Sequence, residues 1–143
     1  MKTLTESLLN SLKWKKYGFV VIKPGFLHIS KQIIEIFENE GWEIEQIKTK
    51  KLLPIEAYGL YEIHKKEDFY KELCDYMSSD LSTGILLKKY TDKQYDEFKE
   101  IKNLKDKIRD KFGESDMRNV IHSSDSIENL LEEAKYYFQL ICL

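Results

Sequence analysis

Near the carboxyl end of the chain, a histidine follows apolar residues and precedes small polar ones. Residues 119–126 read NVIHSSDS. The pattern predicts a short strand that carries His122, then a helix whose first backbone N–H groups and dipole favour anionic oxygens. A histidine beside such a site can attack a phosphoryl group when its attacking nitrogen is deprotonated. The alternative, more common for a histidine near a helix cap, is a surface side chain without a chemical role.

Two further residues could serve the same chemistry. Glu133 lies about two turns into the helix that follows, from where its carboxylate could fold back and orient the His122 ring. Lys23 ends the apolar run of residues 20–22, and Pro24 after it favours an extended backbone. A lysine there can direct its ammonium to a site formed at strand ends. Taken alone, such a lysine more often marks the point where a strand reaches solvent.

Several motifs share their order and most of their spacing with one enzyme family. They are Ile22-Lys23-Pro24, Tyr61-Glu62-Ile63-His64, Asp68-Phe69-Tyr70, Tyr76-Met77-Ser78-Ser79, IRDKFG at 108–113 and NVIHSSDS at 119–126. Together they resemble the nucleoside diphosphate kinase family over residues 17–138, nearly the whole chain. The Asn-x-x-His-x-Ser-Asp pattern is specific, whereas the Lys-Pro pair is informative only in that company. The resemblance favours the chemical interpretation of His122 over the surface one.

The resemblance implies a ping-pong phosphotransferase. A nucleoside triphosphate such as ATP gives its terminal phosphoryl group to a histidine, and a nucleoside diphosphate then collects it. In that role His122 is the phosphorylated nucleophile, and Glu133 and Ser124 orient it and buffer its charge. Magnesium is implied as a cofactor that arrives on the nucleotide phosphates, and no dedicated metal site is expected in the protein.

The same resemblance assigns five nucleotide-binding residues. Lys23 and Asn119 would hold the sugar hydroxyl and the phosphates, and Arg109 would clamp phosphate oxygens with its planar guanidinium. Tyr61 would line the pocket of the histidine. Tyr70 would stack on the base, which explains a tolerance for many bases because each has a π-face.

The chain departs from the family pattern in ways that leave a second function open. After Lys23-Pro24 the family usually continues Asp-Gly, where this chain has Gly25-Phe26. The segment between Leu87 and Ile108 is shortened and lacks a loop and the arginine before it. Lys93 or Lys99 could replace that arginine. The alternative to an active kinase is therefore a catalytically weak nucleotide-binding or scaffold module of the same fold.

Composition limits the other classes of function. The chain has 143 residues, 42% of them hydrophobic and 34% charged, so it fits one domain with a real core. Its net charge of −2 disfavours nucleic-acid binding by charge, despite short lysine runs. Cys74 and Cys142 are too few for a disulfide scaffold and have no metal-ligand spacing. No signal peptide or membrane span is visible, and we expect a cytoplasmic protein.

The elements that must position these residues alternate along the chain. Predicted strands cover residues 17–22, 42–53, 84–87 and 119–122. Predicted helices cover residues 5–13, 30–39, 54–61, 68–77 and 93–112, and a last one follows Asp125, which with Glu128 resembles a capping box. This order predicts an α+β fold, a ferredoxin-like four-stranded antiparallel sheet with helices packed on it. We expect a helical arm at residues 1–16 and a kinase-like domain at 17–143. The family resemblance further implies a homo-oligomer built from dimers.

Overall fold

The computed structural model describes residues 14–139 of the chain. Its strands are β1 (Lys15–Ile22), β2 (Glu43–Lys51), β3 (Leu81–Tyr90) and β4 (Ile121–Ser123). Its helices are α1 (Ser30–Asn39), α2 (Pro54–Leu60), α3 (Tyr70–Met77), α4 (Glu97–Phe112) and α5 (Ile127–Ala134). The strands form one sheet in the order β2-β3-β1-β4, and every neighbouring pair is antiparallel. The predicted ferredoxin-like α+β fold is confirmed.

Strand β1 has a hydrophobic core on each side. Successive side chains of a strand point to opposite faces. Phe19 and Val21 therefore join one cluster with residues of α2, α3 and α5. Val20 and Ile22 join a second cluster with residues of α1 and α4. The continuous apolar run of β1 is thus explained by burial on both faces, and helices cover both sides of the sheet.

Some predicted boundaries shift by a few residues. β1 begins at Lys15, so the last two residues of the proposed arm at 1–16 belong to the sheet, while the predicted helix at 5–13 lies outside the described residues. Ser126, and not Asp125, caps α5, because it directly precedes the helix and its Oγ accepts from the Asn129 N–H at 3.1 Å. No helix within residues 14–139 has the length and apolar character needed to cross a membrane.

Helix α4 fills the region in which the chain is shorter than the family it resembles. Residues 91–96 alone connect β3 to this 16-residue helix, and Asp96 caps it by accepting from two N–H groups of the first turn. Glu100 then fastens the helix to the sheet. Its Oε1 accepts from Trp42 Nε1 at 2.8 Å and from Lys89 Nζ at 3.0 Å. The connection of residues 91–96 and the contacts of Glu100 therefore fix where α4 begins and how it lies against the sheet.

Candidate active site

The sheet places His122 at the wall of a large cavity. His122 is the central residue of β4 and pairs with Val21 of β1. The cavity has a volume of about 1260 Å³, which exceeds the roughly 300–1,000 Å³ of an ordinary small-molecule pocket. Its walls include seven of the eight residues predicted for the site: Lys23, Tyr61, Arg109, Asn119, His122, Ser124 and Glu133.

A carboxylate holds one nitrogen of the histidine ring. His122 Nε2–H donates to Glu133 Oε1 at 2.8 Å, and the Ser124 hydroxyl donates to the other oxygen, Oε2. The His122 and Glu133 side chains are only 14% and 11% exposed. Because a carboxylate accepts, the ring proton sits on Nε2. Nδ1 then carries the lone pair, and it has no hydrogen-bond partner within the part of the chain that the structure describes.

The backbone just before the histidine adopts a conformation that side chains disfavour. Val120 is fully buried and has a φ of 79°. A non-glycine residue in this region costs on the order of 1–3 kcal/mol and persists only where its surroundings enforce it. Here the Val120 carbonyl accepts from the Lys23 backbone N–H at 2.8 Å. This contact ties the segment that carries His122 to the end of β1.

Lys23 and Asn119 orient each other. Lys23 Nζ donates to Asn119 Oδ1 at 2.6 Å and to the Met117 carbonyl at 3.3 Å. Asn119 Nδ2 donates to the Asp116 carbonyl at 2.7 Å, which fixes the amide. Burial, and then the positive charge of Arg109, lower the pKa of Lys23 to about 7. An anion bound at this ammonium would raise that pKa again.

The Arg109 side chain joins α4 to the strand that carries His122, β4. Its Nε and Nη2 both donate to the Ile121 carbonyl, at 3.1 and 2.8 Å. Burial lowers the pKa of the Arg109 guanidinium, which remains a cation at any physiological pH. Two of its five donors are used by the backbone, and the others are free to reach a ligand.

Three rings extend from the histidine along the cavity wall. The Tyr61 ring meets His122 edge-on at 5.2 Å, and the His64 ring follows, 6.4 Å from Tyr61 and 5.6 Å from Phe69. The Tyr61 hydroxyl is buried and has no hydrogen-bond partner among residues 14–139. Burial raises the pKa of Tyr61 well above its ordinary value, so the hydroxyl keeps its proton. It is a donor that a ligand oxygen in the cavity could satisfy.

Tyr70 does not occupy the position predicted for base stacking. Its side chain is turned towards α2, where its hydroxyl donates to the Tyr58 carbonyl and its ring packs edge-on against the Tyr58 ring at 5.2 Å. Phe69, which precedes α3, lines the cavity instead and is 43% exposed. Because α3 begins at Tyr70, the rings of Phe69 and Tyr70 point in different directions. The two residues are adjacent in the sequence, so only the exact start of the helix shows which ring faces the cavity.

The lysines considered as substitutes for the family arginine do not line the cavity. Lys93 and Lys99 are both exposed and lie outside its wall. Lys102 and Lys105 of α4 line it together with Phe98 and Arg109. Sequence reasoning missed these two lysines. A signal was available, because successive residues in the series Phe98, Lys102, Lys105 and Arg109 are three or four positions apart on a predicted helix and therefore share a face.

The described wall of the cavity contains several cations, and its carboxylates are not clustered as metal ligands would be. Within residues 14–139, no group of three or more His, Cys, Asp or Glu side chains is placed to hold a metal ion. Lys23, Lys105 and Arg109 instead bring positive charge to the region around His122. Such a wall suits a polyanionic ligand that carries its own counter-ion.

Comparisons with known proteins point to one family. A family model described as nucleoside diphosphate kinase matches residues 16–141. The nucleoside diphosphate kinase of Chlamydia caviae is 36% identical over 131 residues, which cover 85% of this chain and 91% of that protein. The one of Chlamydia trachomatis serovar D is 38% identical over 128 residues, with coverage of 82% and 89%.

A solved structure has the same fold. The nucleoside diphosphate kinase of Aquifex aeolicus, in an orthorhombic crystal form, superposes with a TM-score of 0.74 at 24% identity and covers 85% of this chain and 94% of its own. That similarity concerns the fold, whereas the family model and the more identical relatives concern descent. The chain belongs to the nucleoside diphosphate kinase family.

Proposed function

We propose that this protein moves the terminal phosphoryl group of a nucleoside triphosphate to a nucleoside diphosphate through a phosphohistidine at His122. The observation that carries the proposal is the His122 ring itself. Glu133 holds its Nε2–H, which leaves the Nδ1 lone pair for attack within a cavity lined by cations. Membership of the family supports a nucleoside diphosphate kinase over the catalytically weak or scaffold module considered from the sequence.

The transfer consists of two displacements at phosphorus. Nδ1 of His122 forms a bond to the terminal phosphorus while the bond to the bridging oxygen breaks, and the nucleoside diphosphate leaves with that electron pair. A terminal phosphate oxygen of a second nucleoside diphosphate then forms a bond to that phosphorus while the P–Nδ1 bond breaks, and its electron pair returns to Nδ1 of His122. The Nε2 proton stays in its hydrogen bond to Glu133 throughout, so the carboxylate balances the charge of the phosphorylated ring. Phosphoryl transfer depends mainly on such positioning and charge stabilisation.

The other residues of the cavity bind the nucleotide in this proposal. Lys23 and Asn119 hold the sugar hydroxyl and phosphates, Arg109 contacts phosphate oxygens, and the unpartnered Tyr61 hydroxyl donates to one of them. Phe69 replaces Tyr70 as the surface on which the base stacks. Mg²⁺ reaches the site on the phosphates and offsets part of their charge, as is usual for an ion that keeps several of its own waters.

Assembly and location complete the proposal. β2 is an outer strand of the sheet, and a strand edge can pair with the same edge of a second copy. This supports a homo-oligomer built from dimers, and a light-scattering mass equal to one chain would contradict it.

The buried, free thiol of Cys74 suits the reducing cytoplasm. Microscopy of the tagged protein would contradict that location by showing it outside the cytoplasm.

The first experiment asks whether the protein itself becomes phosphorylated. The purified chain is incubated with ATP labelled in its terminal phosphate and Mg²⁺. We expect an acid-labile, alkali-stable label that passes to added GDP, and a phosphorus NMR signal from phosphate bonded to Nδ1. Because Nε2 is held by Glu133, a label on Nε2 would contradict the proposed orientation. Saturable nucleotide binding without label or exchange would instead favour the scaffold module.

A matched pair of variants tests the stacking surface. Phe69→Ala should weaken binding of ATP, GTP and CTP by a similar factor, roughly five- to a hundredfold, since stacking on an aromatic ring contributes about 1–3 kcal/mol per base. Tyr70→Leu, which removes the aromatic ring that packs against Tyr58, should leave nucleotide affinity unchanged. Isothermal titration calorimetry measures both. The opposite ranking of the two variants would restore the original prediction for Tyr70.

A further inference from the structure

One face of α4 brings a row of cations to the cavity. Lys102, Lys105 and Arg109 line it, and Phe98 continues the row towards the start of the helix. The spacing of these residues places them on one side of a helix. The adjoining face carries Ile101, Leu104 and Ile108, which are buried in the second hydrophobic cluster. Packing of that apolar face against the sheet therefore fixes the direction of the cations.

Lys105 is the cation of this row that lacks a partner. It is partly buried, and no ion pair within 4 Å or hydrogen bond joins its ammonium to any residue of the described range 14–139. Burial and the neighbouring charge of Arg109 lower the pKa of Lys105. Lys102 differs, because it is 63% exposed and lies 3.6 Å from Asp106. A partly buried ammonium beside a guanidinium is unfavourable by itself and is stabilised when an anion binds between them.

Arg109 and Lys23, the other two cations of the described cavity wall that are shielded from solvent, already use some of their hydrogen-bond donors. Arg109 spends its Nε and one Nη2 donor on the Ile121 carbonyl, so it cannot offer that edge of the guanidinium to a phosphate. Lys23 already donates to Asn119 and Met117. All three donors of the Lys105 ammonium remain available. Among the buried and partly buried cations of the described cavity wall, which are Lys23, Lys105 and Arg109, a polyphosphate therefore meets Lys105 as the one whose donors are all free.

We propose that Lys105 is a phosphate-binding residue of this kinase. The inference rests on the proposed function, because it assumes that the cavity holds nucleotides. The proposed contact lies on α4, about one helical turn before Arg109. Neither Lys93 nor Lys99 lines the cavity. The ligand chemistry is that of a nucleoside di- or triphosphate, recognised through its phosphate oxygens.

The test compares three variants of the full-length protein in ADP binding by calorimetry. Lys105→Met removes the charge while keeping most of the apolar stem, and Lys105→Arg keeps the charge. Lys107→Met is the matched control, since Lys107 is exposed on the same helix and does not line the cavity. Lys105→Met should raise the ADP dissociation constant about tenfold or more, the effect of losing a charge-assisted hydrogen bond. Its ADP affinity should also depend less on salt concentration.

Each outcome decides the matter. Lys105→Arg should bind ADP within about twofold of the wild type, a margin that corresponds to a few tenths of a kcal/mol, and Lys107→Met should equal the wild type. If Lys105→Met binds ADP as Lys107→Met does, the inference is overturned. A thermal melt of every variant separates loss of folding from loss of binding. Failure of the wild type to form phosphohistidine would overturn the proposed function instead, and the ADP comparison would still decide whether Lys105 contacts phosphate.

Discussion

Replacement of His122 by alanine is expected to abolish the phosphorylated intermediate and to lower phosphate exchange between GTP and ADP by roughly a thousandfold or more. The variant removes the only protein group that forms a bond to phosphorus in the proposed reaction. The cavity should still bind nucleotide, because Lys23, Arg109 and Lys105 remain. The measurement is the incorporation of labelled phosphate into the protein, beside a coupled assay of exchange and a binding titration with ADP.

The two other histidines provide the controls for this result. His28 is exposed outside the cavity, so His28→Ala should label and exchange as the wild type does. His64 lines the cavity, and His64→Ala should still carry the label even if its nucleotide affinity changes. A label that persists in His122→Ala and disappears in His64→Ala would show that the nucleophile has been assigned to the wrong ring.

The second large effect is expected from Glu133→Ala. Without the carboxylate, the His122 Nε2–H and the Ser124 hydroxyl lose their common acceptor, and the ring is free to rotate or to change its protonated nitrogen. Because a hydrogen bond to a charged group contributes about 1.5–3 kcal/mol, we expect kcat to fall by roughly ten- to a hundredfold or more. ADP affinity should change little, since Glu133 acts through the histidine.

Two comparisons separate positioning by Glu133 from a general loss of structure. Glu133→Gln keeps an acceptor oxygen for Nε2 but not the charge, so its kcat should lie between those of the wild type and Glu133→Ala. Glu128→Ala changes an exposed residue of the same helix and should match the wild type. Phosphorus NMR of Glu133→Ala should show phosphate on Nε2 as well as Nδ1. An unchanged kcat with phosphate still confined to Nδ1 would exclude this role for Glu133.

Much of the fold follows from patterns that burial imposes on a chain. Burial explains the apolar run in β1, which is covered on both faces, and the helical spacing of α1 and α4, each of which buries one face. Element boundaries were less predictable, because hydrogen-bonded pairing extends beyond the apolar residues. β3 runs from Leu81 to Tyr90, where the sequence pattern indicated only residues 84–87.

Some residues of the candidate site were likewise predictable from the sequence, and others were not. Ser124 was predictable because it lies in the same short, specific motif as His122, and Glu133 because of its spacing along the helix that follows. The structure brings the Glu133 carboxylate to the His122 ring and the Ser124 hydroxyl to that carboxylate. Tyr70 and Phe69 could not be told apart, because their directions depend on the exact residue at which α3 begins. Lys93 and Lys99 were considered for the missing arginine by proximity in the sequence. The way α4 packs on the sheet places Lys102 and Lys105 at the cavity instead.

The attachment of α4 to the sheet has a consequence for how this enzyme recognises its substrates. Glu100, Trp42 and Lys89 hold the helix in place before any ligand arrives. Its phosphate-facing cations are therefore presented by a preorganised scaffold, so less conformational entropy is lost on binding than when a loop must close. In the proposed complex, the contacts between these cations and the phosphates are expected to weaken as ionic strength rises.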